Sequence, residues 1–206
     1  MDDHEVESQI TSLWRQGKWE DIIHFGKSWN YEAWRILWVW PSMNDLEWIK
    51  GTILEHKVQG IISVGCGTGL LEWIIQQYTK CDVIGVEADK CWWQSKYSPT
   101  MYLNQIMFIS EDNSTVDIPS NYAMLFCYFN DGDAFYDYMK NYSGRVIFII
   151  GPDKDQNRCT DPLPFDGKLN ELGWRLSRAR KMDNEKDFFT VYVRLKSADD
   201  NKSRLD

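Results

Sequence analysis

Residues 61–70 read Ile-Ile-Ser-Val-Gly-Cys-Gly-Thr-Gly-Leu, and this stretch decides the fold. Its first four residues predict a buried strand, and the residues from Leu70 onward predict a helix. Gly65, Gly67 and Gly69 lie at the turn between the two elements. Glycine adopts positive φ and has no Cβ, so the main chain can approach a ligand closely at the start of the helix. This arrangement is typical of a site for a nucleotide-like ligand.

The spacing of the glycines separates two kinds of nucleotide site. The dinucleotide-binding fingerprint requires a third glycine three residues after the second one. Leu70 stands at that position here. A nicotinamide or flavin cofactor is therefore disfavoured.

Length and composition indicate one folded, acidic domain. The chain has 206 residues, of which 43% are hydrophobic, so it can bury a sizeable core. It carries 23 Lys and Arg against 31 Asp and Glu, a net charge of −8. This charge repels phosphate backbones, and extended nucleic-acid binding is disfavoured.

Cysteines and histidines do not form a pattern that predicts disulfides or a metal site. The five cysteines are an odd number without a C-x-x-C pair: Cys66, Cys81, Cys91, Cys127 and Cys159. The three histidines, His4, His24 and His56, are scattered. We expect no metal.

The acidic amino terminus and the lack of a long apolar run predict neither a secretory signal nor a membrane span. We therefore expect a soluble intracellular protein, cytoplasmic or nuclear.

Periodicity predicts the order of helices and strands. Apolar residues at helical spacing predict amino-terminal helices, one of them including Tyr31, Trp34, Leu37 and Trp38. Strands are predicted at 61–64, 83–86, 106–109, 123–129 and 146–150, with helices between several of them, followed by an antiparallel pair around 174–178 and 189–195. We expect a three-layer α/β fold with a helical extension at 1–43 packed on the core, a main domain at 44–196 and a flexible tail at 197–206.

A second motif follows the second predicted strand. Residues 85–89 read Gly-Val-Glu-Ala-Asp, and Glu87 ends the strand. With this acid, the glycine turn and the terminal hairpin, the chain resembles the class I Rossmann-like S-adenosylmethionine-dependent methyltransferases over roughly residues 44–195. The resemblance implies a mostly parallel seven-stranded sheet ending in an antiparallel hairpin.

The resemblance also implies S-adenosylmethionine as the cofactor and a set of residues that hold it. The loop beside the methionine part falls on Gly65, Cys66, Gly67, Thr68 and Gly69. Glu87 matches the acid that holds both ribose hydroxyls, and a carboxylate has two acceptor oxygens suited to that contact. Asp112, beside Glu111, matches an acid near the adenine amino group. An ordinary polar loop explains these last two acids equally well.

Other positions depart from the family pattern or allow two interpretations. The family commonly has an acid two residues before the first glycine, and this chain has Ser63 there. Residues 127–131 lack an Asn-Pro-Pro-Tyr type of motif, so the acceptor and the catalytic residues are not assigned. Asn130 and Asp131 either face the substrate or begin the following helix as caps. We interpret Cys66 and Cys127 as packing residues.

Two functions follow as hypotheses. The first is an S-adenosylmethionine-dependent methyltransferase with an unknown methyl acceptor. The alternative is a catalytically inactive methyltransferase-like module that binds the cofactor or a partner protein, with the aromatic amino-terminal helices as the docking surface. Tyr31, Trp38 and Trp40 are candidates to cover the cofactor. Trp92 and Trp93 either flank adenine or pack in the protein.

Overall fold

The computed structural model describes residues 3–28, 36–109, 115–154, 160–183 and 186–195. Its helices are α1 (Asp3–Arg15), α2 (Trp19–Ser28), α3 (Met43–Glu55), α4 (Leu70–Thr79), α5 (Lys90–Trp93), α6 (Gly132–Asn141) and α7 (Lys168–Glu171). Its strands are β1 (Gly60–Val64), β2 (Asp82–Glu87), β3 (Ile106–Phe108), β4 (Tyr122–Cys127), β5 (Val146–Pro152), β6 (Trp174–Lys181) and β7 (Asp187–Arg194).

The seven strands form one mixed sheet in the order β3-β2-β1-β4-β5-β7-β6. Strands β3, β2, β1, β4 and β5 pair in parallel, whereas β7 is antiparallel to both β5 and β6. This confirms the predicted mostly parallel sheet that ends in an antiparallel hairpin.

Strand β1 lies at the centre of the parallel part, and all five of its residues are buried. It pairs with β2 on one side and β4 on the other, with Ser63 opposite both Gly85 and Leu125. The chain order reverses at β1, because β2 and β3 lie to one side and β4 and β5 to the other. Ligands of such sheets bind at this switch point, outside the carboxyl ends of the strands.

Helices cover both faces of the sheet, as the three-layer prediction requires. Alternate residues of β1 enter different cores: Ile61 packs with residues of α1 to α4, and Ile62 and Val64 pack with residues of α6. Apolar burial on both faces explains why the central strands read as nearly continuous hydrophobic runs.

The amino-terminal helices contribute directly to the first of these cores. Val6 and Ile10 of α1 are fully buried, as are Ile22 and Ile23 of α2. Their aromatic residues pack inward as well, since Trp14 contacts Tyr102 edge to face with ring centroids 5.6 Å apart. Within the parts of the chain described above, no helix has the length and apolar character to cross a membrane.

The boundaries of several predicted elements differ from the structure. Leu37 and Trp38 do not continue a helix, because the chain from Ile36 to Pro41 is irregular. Strand β4 ends at Cys127 instead of reaching Phe129, since Tyr128 turns the backbone with φ of +52°. Tyr31, Trp34 and the predicted tail at 197–206 lie outside the described residues.

Truncation of a buried residue in α1 tests how strongly the amino-terminal helices are coupled to the sheet. We expect Ile10→Ala to lower the free energy of unfolding by about 2–5 kcal/mol in one cooperative transition, because the cavity opens in the shared core. Leu54→Ala, which truncates a 69% exposed side chain, should change stability by less than about 0.5 kcal/mol. Urea unfolding followed by circular dichroism measures both. A separate early transition for the helices would contradict the coupling.

Candidate functional site

The turn between β1 and α4 brings the glycine loop against the end of β2. Gly65, Gly67 and Gly69 all have positive φ, between 59° and 72°. The backbone N–H groups of Gly65 and Cys66 both donate to the carbonyl oxygen of Val86, at 2.8 and 3.3 Å. The loop is therefore fixed beside Glu87, the next residue of β2.

The three glycines have different surroundings. A Cβ on Gly65 would lie 2.9 Å from the ring of Phe129, and one on Gly69 would lie 2.6 Å from the Cβ of Leu103. These two positions need glycine because protein atoms pack against them. A Cβ on Gly67 would meet nothing within 4 Å. The backbone at Gly67 is thus the part of the loop that is open to a ligand.

Glu87 lies at the end of β2 with each carboxylate oxygen in a hydrogen bond. Its Oε1 accepts from the backbone N–H of Gly67 at 2.5 Å, and its Oε2 accepts from the indole N–H of Trp93 at 3.1 Å. Burial raises the pKa of Glu87, and both of these hydrogen bonds act in the opposite direction. The structure therefore joins the two predicted motifs, since the glycine loop binds the strand-end acid.

A cavity of about 150 Å³ opens beside the loop. Its lining includes Gly65, Gly67, Glu72, Trp93, Cys127 and Tyr128, together with residues 36–38. A larger hollow of about 530 Å³ borders the end of α6 at Asn141 and Tyr142. That hollow lies toward the amino ends of the strands, where ligands of parallel sheets are not expected. We therefore place the candidate site at the smaller cavity.

A buried carboxyl group lies in this cavity at a position that the sequence analysis missed. Glu72 of α4 is only 2% exposed, and its Oε1 accepts a hydrogen bond of 2.7 Å from the hydroxyl of Ser63. Burial raises the pKa of Glu72 to about 7, although the Ser63 hydrogen bond favours the ionised form. The signal in the sequence was a single acid within the apolar run 70–75.

The two cysteines near the cavity remain protonated. Burial raises the pKa of the thiols of Cys66 and Cys127 well above the ordinary value, and the neighbouring Glu72 carboxyl adds to the shift in both. A thiol in this state is a poor nucleophile. This agrees with their interpretation as packing residues.

Two aromatic residues form one wall of the cavity. Tyr128, just after β4, stacks on Trp38 with ring centroids 5.6 Å apart and an interplanar angle of 21°. The Tyr128 hydroxyl donates to Asp187 Oδ1 at 2.7 Å, which anchors a residue whose backbone is in the left-handed region. Trp38 is 59% exposed. Trp40, by contrast, is buried and packs its ring against Gly26.

Other predicted residues take structural roles or lie elsewhere. The Thr68 hydroxyl donates to the carbonyl oxygen of Ile36 at 2.8 Å, so it holds the segment before α3 to the loop. Asp131 caps α6, because its side chain accepts a hydrogen bond from the N–H of Ala134. This is the capping interpretation of the two that the sequence allowed. Asn130 is exposed. Glu111 and Asp112 lie outside the described residues. No metal-binding group of three His, Cys, Asp or Glu residues occurs within the described ranges.

Comparison with solved structures identifies the architecture. The 16S rRNA methylase ArmA superposes with a TM-score of 0.50 at 10% sequence identity, and the match covers 92% of this chain and 98% of that one. The chain has the Rossmann-like methyltransferase fold. No protein-family profile matches the sequence, and no curated protein matches it significantly.

Two further structures match with lower scores. Human N-acetylserotonin methyltransferase, in complex with SAM, gives a TM-score of 0.49 at 14% identity over 91% of this chain and 59% of that one. A SAM-dependent methyltransferase from Aquifex aeolicus gives 0.47 at 14% identity over 92% and 98%. The assignment of the fold depends on the first comparison and on the strand order.

The buried Glu72 carboxyl predicts a distinct pH dependence of stability. Its pKa rises from 4.5 to about 7 on folding, so the folded state holds the proton more tightly than the unfolded state does. Relative to Glu72→Gln, the wild type should therefore lose up to about 3 kcal/mol of unfolding free energy as pH rises from about 4.5 to 7. Urea unfolding of the ligand-free protein across this range measures the difference. The exposed variant Glu171→Gln should follow the wild type, and parallel curves for all three proteins would contradict the shift.

Proposed function

We propose that the protein is an S-adenosylmethionine-dependent methyltransferase. The observation that carries the proposal is the open backbone of Gly67 beside the carboxylate of Glu87, at the switch point of the sheet. A two-oxygen acceptor beside open backbone at this place suits a nucleoside with two adjacent ribose hydroxyls. The proposed cofactor-binding residues are Gly65, Cys66, Gly67, Thr68, Gly69, Glu87 and Asp112.

The local chemistry fits such a ligand. Each oxygen of Glu87 accepts one hydrogen bond from the protein, and a carboxylate oxygen can accept about two. Glu87 therefore has acceptor capacity for hydroxyl groups. A side chain at position 67 would extend into the open space that the ligand needs. The positive φ of Gly67 already favours glycine, and the open space beside it leaves room for a ligand.

The size of the cavity requires movement when the cofactor binds. At about 150 Å³ it is smaller than the roughly 300–1,000 Å³ of typical ligand pockets. Trp93 lies in the cavity wall, and its indole donates to Oε2 of Glu87, so its ring stands where the ribose is proposed to bind. We infer that this indole shifts away from Glu87 on binding.

The role of the protein in the reaction is mainly one of alignment. When bound, S-adenosylmethionine supplies a methyl group already activated by its sulfonium charge. Glu87 would hold the ribose, Gly67 in the glycine loop would lie beside the methionine part, and the stacked Trp38 and Tyr128 form one wall of the cavity. The methyl acceptor and the residue that contacts it are not assigned.

Thermal unfolding with ligand tests cofactor binding. S-adenosylmethionine or S-adenosylhomocysteine at 100 times its Kd should stabilise the protein by about 2.7 kcal/mol, a rise in Tm of roughly 5–10 °C. Glu87→Gln should reduce this stabilisation to about half or less at the same ligand concentration, because a charge-assisted hydrogen bond is lost. Asp89→Asn is the matched control, since Asn can replace the Asp89 cap of α5.

The outcomes of this experiment separate binding from catalysis. If neither ligand changes the Tm, the proposed function is overturned. A shift that depends on Glu87, without methyl transfer to a panel of nucleic acid, protein and small-molecule acceptors, would favour the alternative of a non-catalytic module. Release of S-adenosylhomocysteine together with a methylated product would establish the enzyme.

Substitution of the open glycine tests the close approach of the backbone. Gly67→Ala places a Cβ in the ligand space, so we expect at least a tenfold loss of affinity for S-adenosylhomocysteine by isothermal titration calorimetry, with about 1–2 kcal/mol of backbone strain. Gly173→Ala is the matched control, because Gly173 also has positive φ with nothing within 4 Å of its Cβ position. It should carry similar strain and keep full affinity. Equal affinity of the two variants would disprove the contact.

A further inference from the structure

The side chain of Glu72, a residue of α4, is held in one defined position beside the carboxyl end of β1. It lies nine residues after Ser63 in the sequence, yet the two side chains are hydrogen-bonded at 2.7 Å. Ser63 is fully buried, and Glu72 is 2% exposed. Its side chain lines the same cavity as Gly67. The carboxyl group therefore stands beside Ser63, at the position where the family that the sequence resembles commonly has an acid, and here α4 supplies an acid to that place.

The surroundings of Glu72 contain no positive charge from the described residues. Among these residues, the ionisable groups that interact electrostatically with Glu72 are the thiols of Cys66 and Cys127 and the carboxylate of Glu87. A buried carboxylate is costly unless a cation or several hydrogen-bond donors accompany it. The site therefore has the chemistry to receive a cation with N–H donors.

The cofactor of the proposed function carries such a group. S-adenosylmethionine has two positive charges, the sulfonium and the α-ammonium of its methionine part, and only the ammonium has hydrogens that can be donated to a carboxylate. We propose that Glu72, oriented by Ser63, binds the α-ammonium group of the cofactor. This inference rests on the proposed function and assigns a specificity residue within the same cavity.

The assignment explains how the site works without an acid at position 63. The Ser63 hydroxyl donates to Oε1 of Glu72, which fixes the carboxyl group and leaves acceptor sites on both of its oxygens. Ser63 is thus a positioning residue, and Glu72 is the group in contact with the ligand. The acid reaches the site from the first turn of α4, where the helix dipole favours negative charge.

Calorimetry with two ligands tests the contact in the wild type, in Glu72→Gln and in a control variant. The ligands are S-adenosylhomocysteine and its analogue with hydrogen in place of the α-amino group. We expect Glu72→Gln to weaken S-adenosylhomocysteine binding by about 10- to 100-fold and to leave the affinity for the deaminated analogue within about threefold of the wild type. Retained binding of the analogue also demonstrates that the variant is folded. The exposed variant Glu171→Gln should bind both ligands as the wild type does.

The pH dependence of the wild type gives a second measurement that needs no variant. Ionisation of Glu72 should strengthen S-adenosylhomocysteine binding by roughly 5- to 10-fold between about pH 6 and 7.5, with release of a proton. Glu87 is hydrogen-bonded to the N–H of Gly67, which lines the cavity, and burial raises its pKa as well, whereas the thiols of Cys66 and Cys127 remain neutral over this range. The deaminated analogue makes the same contact with Glu87 but has no ammonium group. The difference between the pH dependences of the two affinities therefore gives the contribution of Glu72.

Four results would overturn the inference, and they are distinguishable. If Glu72→Gln loses affinity equally for S-adenosylhomocysteine and its deaminated analogue, or loses affinity for neither, Glu72 does not contact the ammonium. S-adenosylmethionine is titrated in the same way. A loss of affinity for it in Glu72→Gln, with no loss for S-adenosylhomocysteine, would assign Glu72 to the sulfonium. Failure of the wild type to bind either natural ligand would overturn the proposed function, and this inference with it.

Discussion

The turn after β1 is the constraint on which the site depends. Within five residues the chain leaves a buried strand and starts α4, and three residues with positive φ make this possible. The turn is tied to β2 because Gly65 and Cys66 donate to the same Val86 carbonyl oxygen. The Gly67 N–H then reaches Glu87. One short loop therefore fixes both the open backbone and the acid beside it.

Several features at this edge of the sheet oppose stability. Glu72 is a carboxyl group removed from water, and its raised pKa reflects the cost of charging it. Tyr128 holds its backbone in a region that non-glycine residues rarely adopt. Both residues line the same cavity. Such costs persist where the surrounding structure enforces them, and they concentrate at functional sites. Their coincidence beside Gly67 supports the placement of the site independently of the fold.

Much of the architecture was predictable from the sequence, for a local reason. Buried parallel strands are continuous apolar runs, and the terminal hairpin alternates, so each type of strand carries its own pattern. Element boundaries were less predictable. Trp38 follows a helical spacing, yet it lies in an irregular segment where it stacks on Tyr128, some ninety residues away in the chain. Tertiary contact outweighed the local pattern there.

The sequence by itself determined the sheet, the glycine turn and the acid after β2, because periodicity and the lack of a Cβ act over a few neighbouring residues. It also indicated that an acid was absent at position 63. Only the tertiary structure decided that Glu72 lies beside Ser63, that Gly67 alone of the three glycines faces open space, and that Trp93 donates to Glu87. These relations depend on how α4, α5 and the strands pack, and burial and distance between separate elements leave no local pattern in a single sequence.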